Sequence, residues 1–181
     1  MKKLLVLLFG LVFLFVGCSL DNTTYVDEEP YVPEDLNALV INEFMSHNDV
    51  GWAGPNDEYP DWIELYNGTA ETIDVGGMYV TDDLDNLELS MIGDDAPELT
   101  TMAPGSYLVL VANKTPELGA LQLDLKLGDN EDFALVSSDG STIVDQYNTE
   151  VVPDDMSMGR VPDGTDNIQL CTIQTPGASN Q

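Results

Sequence analysis

Leu121-Gln122-Leu123-Asp124-Leu125-Lys126-Leu127 places four leucines at alternate positions with a polar residue between each pair. Successive side chains of a strand point to opposite faces, so this period of two lays a leucine face on a core. Outward from it, the chain beyond Ala38 has no sustained 3.6-residue period. Short apolar or alternating runs recur instead between turn signals, which predicts an all-β domain. The other candidate strands are 39–45, 62–67, 72–75, 78–81, 87–92, 107–111, 132–136, 142–147 and 168–173. The unbroken apolar run Tyr107-Leu108-Val109-Leu110-Val111 reads as a central strand covered on both faces, or one reaching the second sheet. Turn pairs such as Asn67-Gly68, Gly76-Gly77, Pro104-Gly105 and Asp163-Gly164 separate the runs, and Ser138-Asp139-Gly140-Ser141 predicts a hairpin. Many short strands with regular turns favour a sandwich or barrel. Without a repeat of fixed period, a propeller or solenoid is disfavoured.

The 181 residues include 33 Asp and Glu against five Lys and Arg, a formal net charge of −28. All the acids lie beyond residue 17, where only Lys114, Lys126 and Arg160 oppose them, leaving −30 on that part. Such a chain repels phosphate backbones, so nucleic acid is an improbable partner. Divalent cations and basic surfaces remain compatible.

Met1 to Lys3 is basic, Leu4 to Val16 is an apolar run, and Gly17-Cys18 is a small-residue boundary. This is the architecture of a signal peptide over residues 1–17. As a helix the run spans about 20 Å against a hydrocarbon core of roughly 30 Å, too short for a comfortable transmembrane span. Phe15-Val16-Gly17-Cys18 resembles the bacterial lipoprotein box, which implies cleavage before Cys18 and its acylation. Phe15 departs from the usual Leu. Two or three fatty acyl chains at about 0.8 kcal/mol per methylene would anchor the protein lastingly. A lipidated Cys18 leaves Cys171 without a partner in the chain, and Cys171 reads as an inert strand cysteine. Residues 18–37, with six acids and two prolines, read as a flexible acidic tether, and 38–181 as the folded domain.

Three further stretches, Ile41-Asn42-Glu43-Phe44, Asp61-Trp62-Ile63-Glu64-Leu65-Tyr66-Asn67 and Ile73-Asp74-Val75-Gly76-Gly77-Met78-Tyr79, resemble the opening half of the bacterial lamin-tail domain. The closing half resembles it through Pro104-Gly105-Ser106-Tyr107, Gly159-Arg160-Val161-Pro162-Asp163-Gly164 and Thr175-Pro176-Gly177. The likeness runs from about Leu39 to Asn180. It implies an immunoglobulin-like β-sandwich and a binding or structural module, one that in bacteria often accompanies hydrolase or nuclease domains. The 87–92 stretch departs from the family pattern, which often has a Trp there followed by Ile-Pro.

Catalytic chemistry finds little footing. His47 is the single histidine, and no serine sits in a Gly-x-Ser-x-Gly elbow. Carboxylate pairs are uninformative among 33 acids. Hard cations prefer clustered oxygens, so of the three densest acidic clusters Asp82, Asp83 and Asp85 form the preferred candidate Ca²⁺ site ahead of Asn56-Asp57-Glu58 and Asp129-Asn130-Glu131-Asp132, although each reads first as a solvated turn. None has the spacing of an EF-hand loop. Arg160, the one arginine, is expected to act as a structural clamp on Glu43, Asp61 or Glu64 between strands. Trp62, Tyr66 and Tyr79 fit strand packing.

These readings combine into a membrane-anchored, extracytoplasmic lipoprotein of the bacterial cell envelope. It presents a non-catalytic module to a protein or to an envelope or extracellular polymer. Ser19 is compatible with outer-membrane sorting where the host has two membranes. The alternatives are a secreted hydrolase or accessory subunit of one, Ca²⁺-dependent or not, and a purely structural envelope component.

Overall fold

In the computed structural model the leucine alternation holds as a burial pattern and not as a long ladder. Leu123, Leu125 and Leu127 are buried while Asp124 and Lys126 are exposed. Only Gln122–Leu123 pairs as a strand. The Asp124 amide leaves the ladder to donate to Ser90 Oγ at 2.8 Å. The structure describes residues 38–54, 58–148 and 151–181. The expected signal peptide 1–17, the tether 18–37 with its lipidation residue Cys18, and the Asn56-Asp57 part of one acidic cluster lie outside the described residues.

In chain order the described elements are β1 (Leu39–Met45), β2 (Asp61–Asn67), β3 (Ile73–Asp74), β4 (Tyr79–Thr81), β5 (Ser90–Met91) and a one-turn helix α1 (Pro97–Thr100). Then come β6 (Thr101–Met102), β7 (Tyr107–Ala112), a 3-10 turn (Pro116–Leu118), β8 (Gln122–Leu123), β9 (Asp132–Val136), β10 (Ile143–Asn148), β11 (Ser157–Arg160) and β12 (Ile168–Cys171). One sheet runs β12-β11-β1-β2-β7-β8, a second β10-β9-β4-β5, and β3 pairs with β6 alone. All pairings are antiparallel except β7 with β8.

Several strand expectations are corrected in extent. The 87–92 run contributes only β5, because its first residues form a turn. β7 lies second from the edge instead of centrally, with Tyr107 to Val109 half-buried and Leu110 to Ala112 buried. β6 and β11 have no counterpart among the expected strands. The hairpin at 138–141 joins β9 to β10. Gly140 takes φ of +68°, a conformation that costs glycine nothing.

The core lies between the two larger sheets. Leu39, Ile41, Phe44, Ile63, Leu65 and Leu110 from one sheet meet Val80, Phe133, Leu135 and Tyr147 from the other. Phe44 stands edge-on to Phe133 and Tyr147, at centroid distances of 4.9 and 4.8 Å. Such pairs each contribute about 0.5–1.5 kcal/mol beyond area burial. No helix of the described residues is long and apolar enough to cross a membrane.

The alternation at 121–127 makes a stability prediction. Leu125→Ala should lower the unfolding free energy by about 2–5 kcal/mol. Asp124→Ala, on the exposed side, should change it by about 0.5 kcal/mol or less. Chemical denaturation measures both, and equal effects would contradict the burial pattern.

Candidate functional site

Ile63 and Leu65 of β2 enter the core, so Trp62, Glu64 and Tyr66 face the other side of the six-stranded sheet. An open sandwich would leave that side wet. Here Trp62 and Glu64 are both fully buried: Trp52 packs against Trp62, and the chain beyond β12 returns across Glu64. The same holds for Glu43 of β1, which lies directly opposite Glu64 in the register. A bulge between Ile41 and Glu43 places it there: Asn42 is the extra residue, and past it Glu43 turns outward while Phe44 returns to the core.

Each buried oxygen in this layer is accounted for by the returning segment or its neighbours. Ser157 Oγ donates to Glu43 Oε1 at 2.5 Å, and Thr175 gives its amide and its hydroxyl to Glu43 Oε2 at 3.2 and 3.0 Å. The Gly177 amide donates to Glu64 Oε2 at 2.5 Å, and Asn42 Nδ2 lies 3.4 Å from Glu64 Oε1. Asp163 accepts from Asn42, Tyr107, Ser179 and the Asn180 amide. Asn180 Nδ2 in turn bridges the carbonyls of Asn42 and Arg160 at 3.1 and 3.0 Å. That bridge requires Gly159, where a Cβ would sit 2.7 Å from Asn180 Nδ2.

Burial in so little water penalises charge. It pushes Glu64 up to about 8, with the Gly177 amide and Asn42 pulling back and the facing Glu43 adding to the rise. Glu43 is also raised by burial, against the bonds from Ser157 and Thr175. Asp163 behaves in the opposite way: burial pushes it up, but four donors outweigh that and hold it below the usual range. Tyr107, half-buried and donating to Asp163, is pushed up to about 12. Burial thus favours the protonated form of Glu64, and the surrounding donors favour the charged form of Asp163.

Arg160 does not clamp Glu43, Asp61 or Glu64. Its place on β11 turns it inward, away from the face that Glu43 and Glu64 occupy, and its guanidinium reaches the opposite sheet. Nη2 donates to both Asp145 oxygens at 3.1 and 3.0 Å. Nε donates to the Ile41 carbonyl at 2.8 Å, and Nη1 to the Thr165 carbonyl at 2.8 Å. Asp145 completes the bridge by accepting the Ile41 amide at 2.7 Å. Burial pushes the Asp145 carboxyl up, and the guanidinium and that amide pull it back. The guanidinium carbon also lies 5.7 Å from the Tyr147 ring centroid. Sheet is thus tied to sheet by an ion pair in which each of the three guanidinium nitrogens donates.

The remaining expected residues disperse. Asp61, at the start of β2, is pushed up to about 6 by burial, with Lys126 and His47 pulling it down. The Ca²⁺ expectation at Asp82, Asp83 and Asp85 is corrected: among the described residues no three His, Cys, Asp or Glu side chains group to hold a metal ion. Asp83 Oδ1 is committed to the Asp85 amide, and Thr81 Oγ1 pins the carbonyls of Asp83 and Asn86. One carboxylate oxygen and two carbonyls of the turn are thus used within it. His47 bonds Asp129 at 3.0 Å, which raises its pKa. Trp62 packs against Trp52, and Tyr66 against Tyr107. Cys171 is free and buried. The Asn42 bulge and the Thr175–Asn180 cover were missed by sequence reasoning; the polar run Glu43, Glu64 in otherwise apolar strands was the available signal.

The fold is a two-sheet β-sandwich of immunoglobulin-like type whose buried Glu43, Glu64 and Asp145 are spent on internal ties. The model of the Lamin Tail Domain family matches residues 33–151, well over half of the chain, and the chain belongs to that family. β11, β12 and the covering segment lie beyond the matched range. No curated protein and no solved structure matches the chain.

Two outcomes follow from this geometry. Removing one partner of a buried ion pair costs about 3–5 kcal/mol, so Asp145→Ala should destabilise by that order, and Arg160→Lys, which loses the fork, by about 1–3 kcal/mol. Unchanged thermal melts would reject the sheet-to-sheet tie. For Glu64, the folded pKa lies above the unfolded value of 4.5, so its stabilising contribution is full below pH 4.5 and fades as pH rises through about 8. Between pH 5 and pH 9 the wild type should therefore lose ~3–4 kcal/mol more stability than Glu64→Gln, read from urea midpoints. Parallel pH profiles would show that Glu64 is ionised in the folded state.

Proposed function

We propose that this chain is an extracytoplasmic lipoprotein, held on a bacterial membrane by acylated Cys18, that presents its lamin-tail sandwich as a non-catalytic binding module. The observation that carries the non-catalytic half is the burial of Glu43 and Glu64. These are carboxyls of the kind that acid catalysis exploits, with raised pKa values. Both are sealed beneath Thr175–Asn180 and hydrogen-bonded to it, so a substrate has no route to them. Their chemistry is spent on closing the fold.

The anchoring half is supported by the basic, apolar and Gly17-Cys18 order of the N-terminus. The acidic residues 18–37 then serve as a spacer. The partner is a protein or polymer of the envelope, and the charge of the chain favours a basic one over any nucleic acid.

Membrane fractionation tests the anchor. Wild-type protein should pellet with membranes and yield a diacylglyceryl-modified N-terminal Cys18 by mass spectrometry, whereas Cys18→Ser should retain its signal peptide or appear in the soluble fraction. An unmodified thiol at position 18 in native material would overturn the proposal.

A further inference from the structure

β5 and β8 are edge strands of different sheets. They are laced together by Asp124 N to Ser90 Oγ at 2.8 Å and by Gly93 N to Ala120 O at 2.9 Å. Beside that lacing opens a cavity of about 470 Å³. The volume falls within the usual range for ligand sites, roughly 300–1,000 Å³. Its apolar lining comes from Met91, Pro116 and Ala120, with Met91 45% exposed despite its size. Its charged lining is of one sign, Asp95, Glu117 and Asp124, beside the neutral Ser90 and Gln122.

Among the described residues none of the three carboxylates makes an ion pair. Ion pairs among the described residues join His47 to Asp129 and Arg160 to Asp145 and Asp166, all elsewhere. Of the cations nearest in sequence, Lys126 lines a different cavity beside Asp61, and Lys114, exposed three residues before Glu117, is not part of this lining. A concave surface of a single sign with low-dielectric walls focuses its field and concentrates counter-charges. The three carboxylates come from three separate stretches, the loop after β5, the 3-10 turn and the residue after β8. They do not group to grip one metal ion. Separated anions around an apolar floor complement separated cations on an aliphatic chain.

We propose that the cavity between β5 and β8 is the docking site for an extended basic segment of a partner protein. Its spaced Lys or Arg side chains reach Asp95, Glu117 and Asp124 while their aliphatic stems lie on Met91, Pro116 and Ala120. The proposal rests on the reading of the sandwich as a binding module and not on the lipid anchor.

The full chain in mild detergent is titrated at physiological salt with a capped heptapeptide carrying lysine at alternate positions and valine or alanine between. Calorimetry and backbone amide shifts are recorded together. Expected are shifts concentrated at Met91, Gly93, Ala120 and Gln122. Affinity should fall about tenfold or more in the triple variant Asp95→Asn, Glu117→Gln, Asp124→Asn. It should fall about twofold or less in a charge-matched control, Asp49→Asn, Glu71→Gln, Asp154→Asn, drawn from exposed positions away from the cavity. Equal weakening in both triples, or shifts scattered over the acidic surface, would reduce the effect to general attraction and overturn the site. Spermidine binding as tightly as the peptide would overturn the commitment to a polypeptide. Failure of all binding sinks this site while leaving Cys18 acylation, and so the anchored-module reading, intact.

Discussion

Two carboxyl groups with no exposed surface face each other across β1 and β2, and the architecture follows from satisfying them. A buried carboxyl is tolerated when it is neutral or fully hydrogen-bonded. Glu43 and Glu64 achieve this because the C-terminal segment folds back and supplies amides and hydroxyls from Thr175 and Gly177. The six-stranded sheet thereby has two covers, the second sheet on one face and its own C-terminus on the other. The Asn42 bulge makes both possible at once, since it lets Ile41 and Phe44 share the core while Glu43 between them looks away.

A second tie crosses the sandwich in the opposite direction. Arg160 and Asp145 join β11 to β10 and share the Ile41 peptide, one taking its carbonyl and the other its amide. β11 therefore carries ties to both covers: Ser157 and Gly159 outward, Met158 and Arg160 inward. It is a four-residue strand whose loss would open the core and the outer layer together. The buried polar chemistry is concentrated inside the fold, away from the surface. There the excess of negative charge is uncompensated, and the cavity between the two sheet edges offers apolar contact as well.

Much of this was legible in the sequence where side-chain pattern alone decides structure. β1 and β9 fall where apolar and β-branched residues crowd, and the 138–141 hairpin follows from its Asp-Gly pair. Legibility ended where a partner decides. Ser157-Met158-Gly159-Arg160 has little strand character of its own and becomes a strand because β1 pairs with it. In 121–127 the burial period was readable, but the pairing was not, because Ser90 captures the Asp124 amide. Arg160 was recognisable as a clamp candidate from its singularity. Its partner was hidden among 33 acids, and the choice of Asp145 over Glu43 depends on which face of β11 the side chain occupies. The acidic turn at 82–85 illustrates the same limit. Its density of oxygens was visible, whereas their use by Thr81 and the turn amides required coordinates.

The dependence of the fold on its covering segment can be read at one atom, the Gly177 amide that donates to Glu64. Native-state hydrogen exchange near pH 6 should give this amide a protection factor comparable to those of β1 and β2. The protection should weaken relative to theirs as the pH is taken through 8 to 9, where Glu64 loses its proton. Exchange at the rate of an unstructured peptide at pH 6 would mean that the segment does not seal the sheet, and that Glu43 and Glu64 are open to solvent and to substrates.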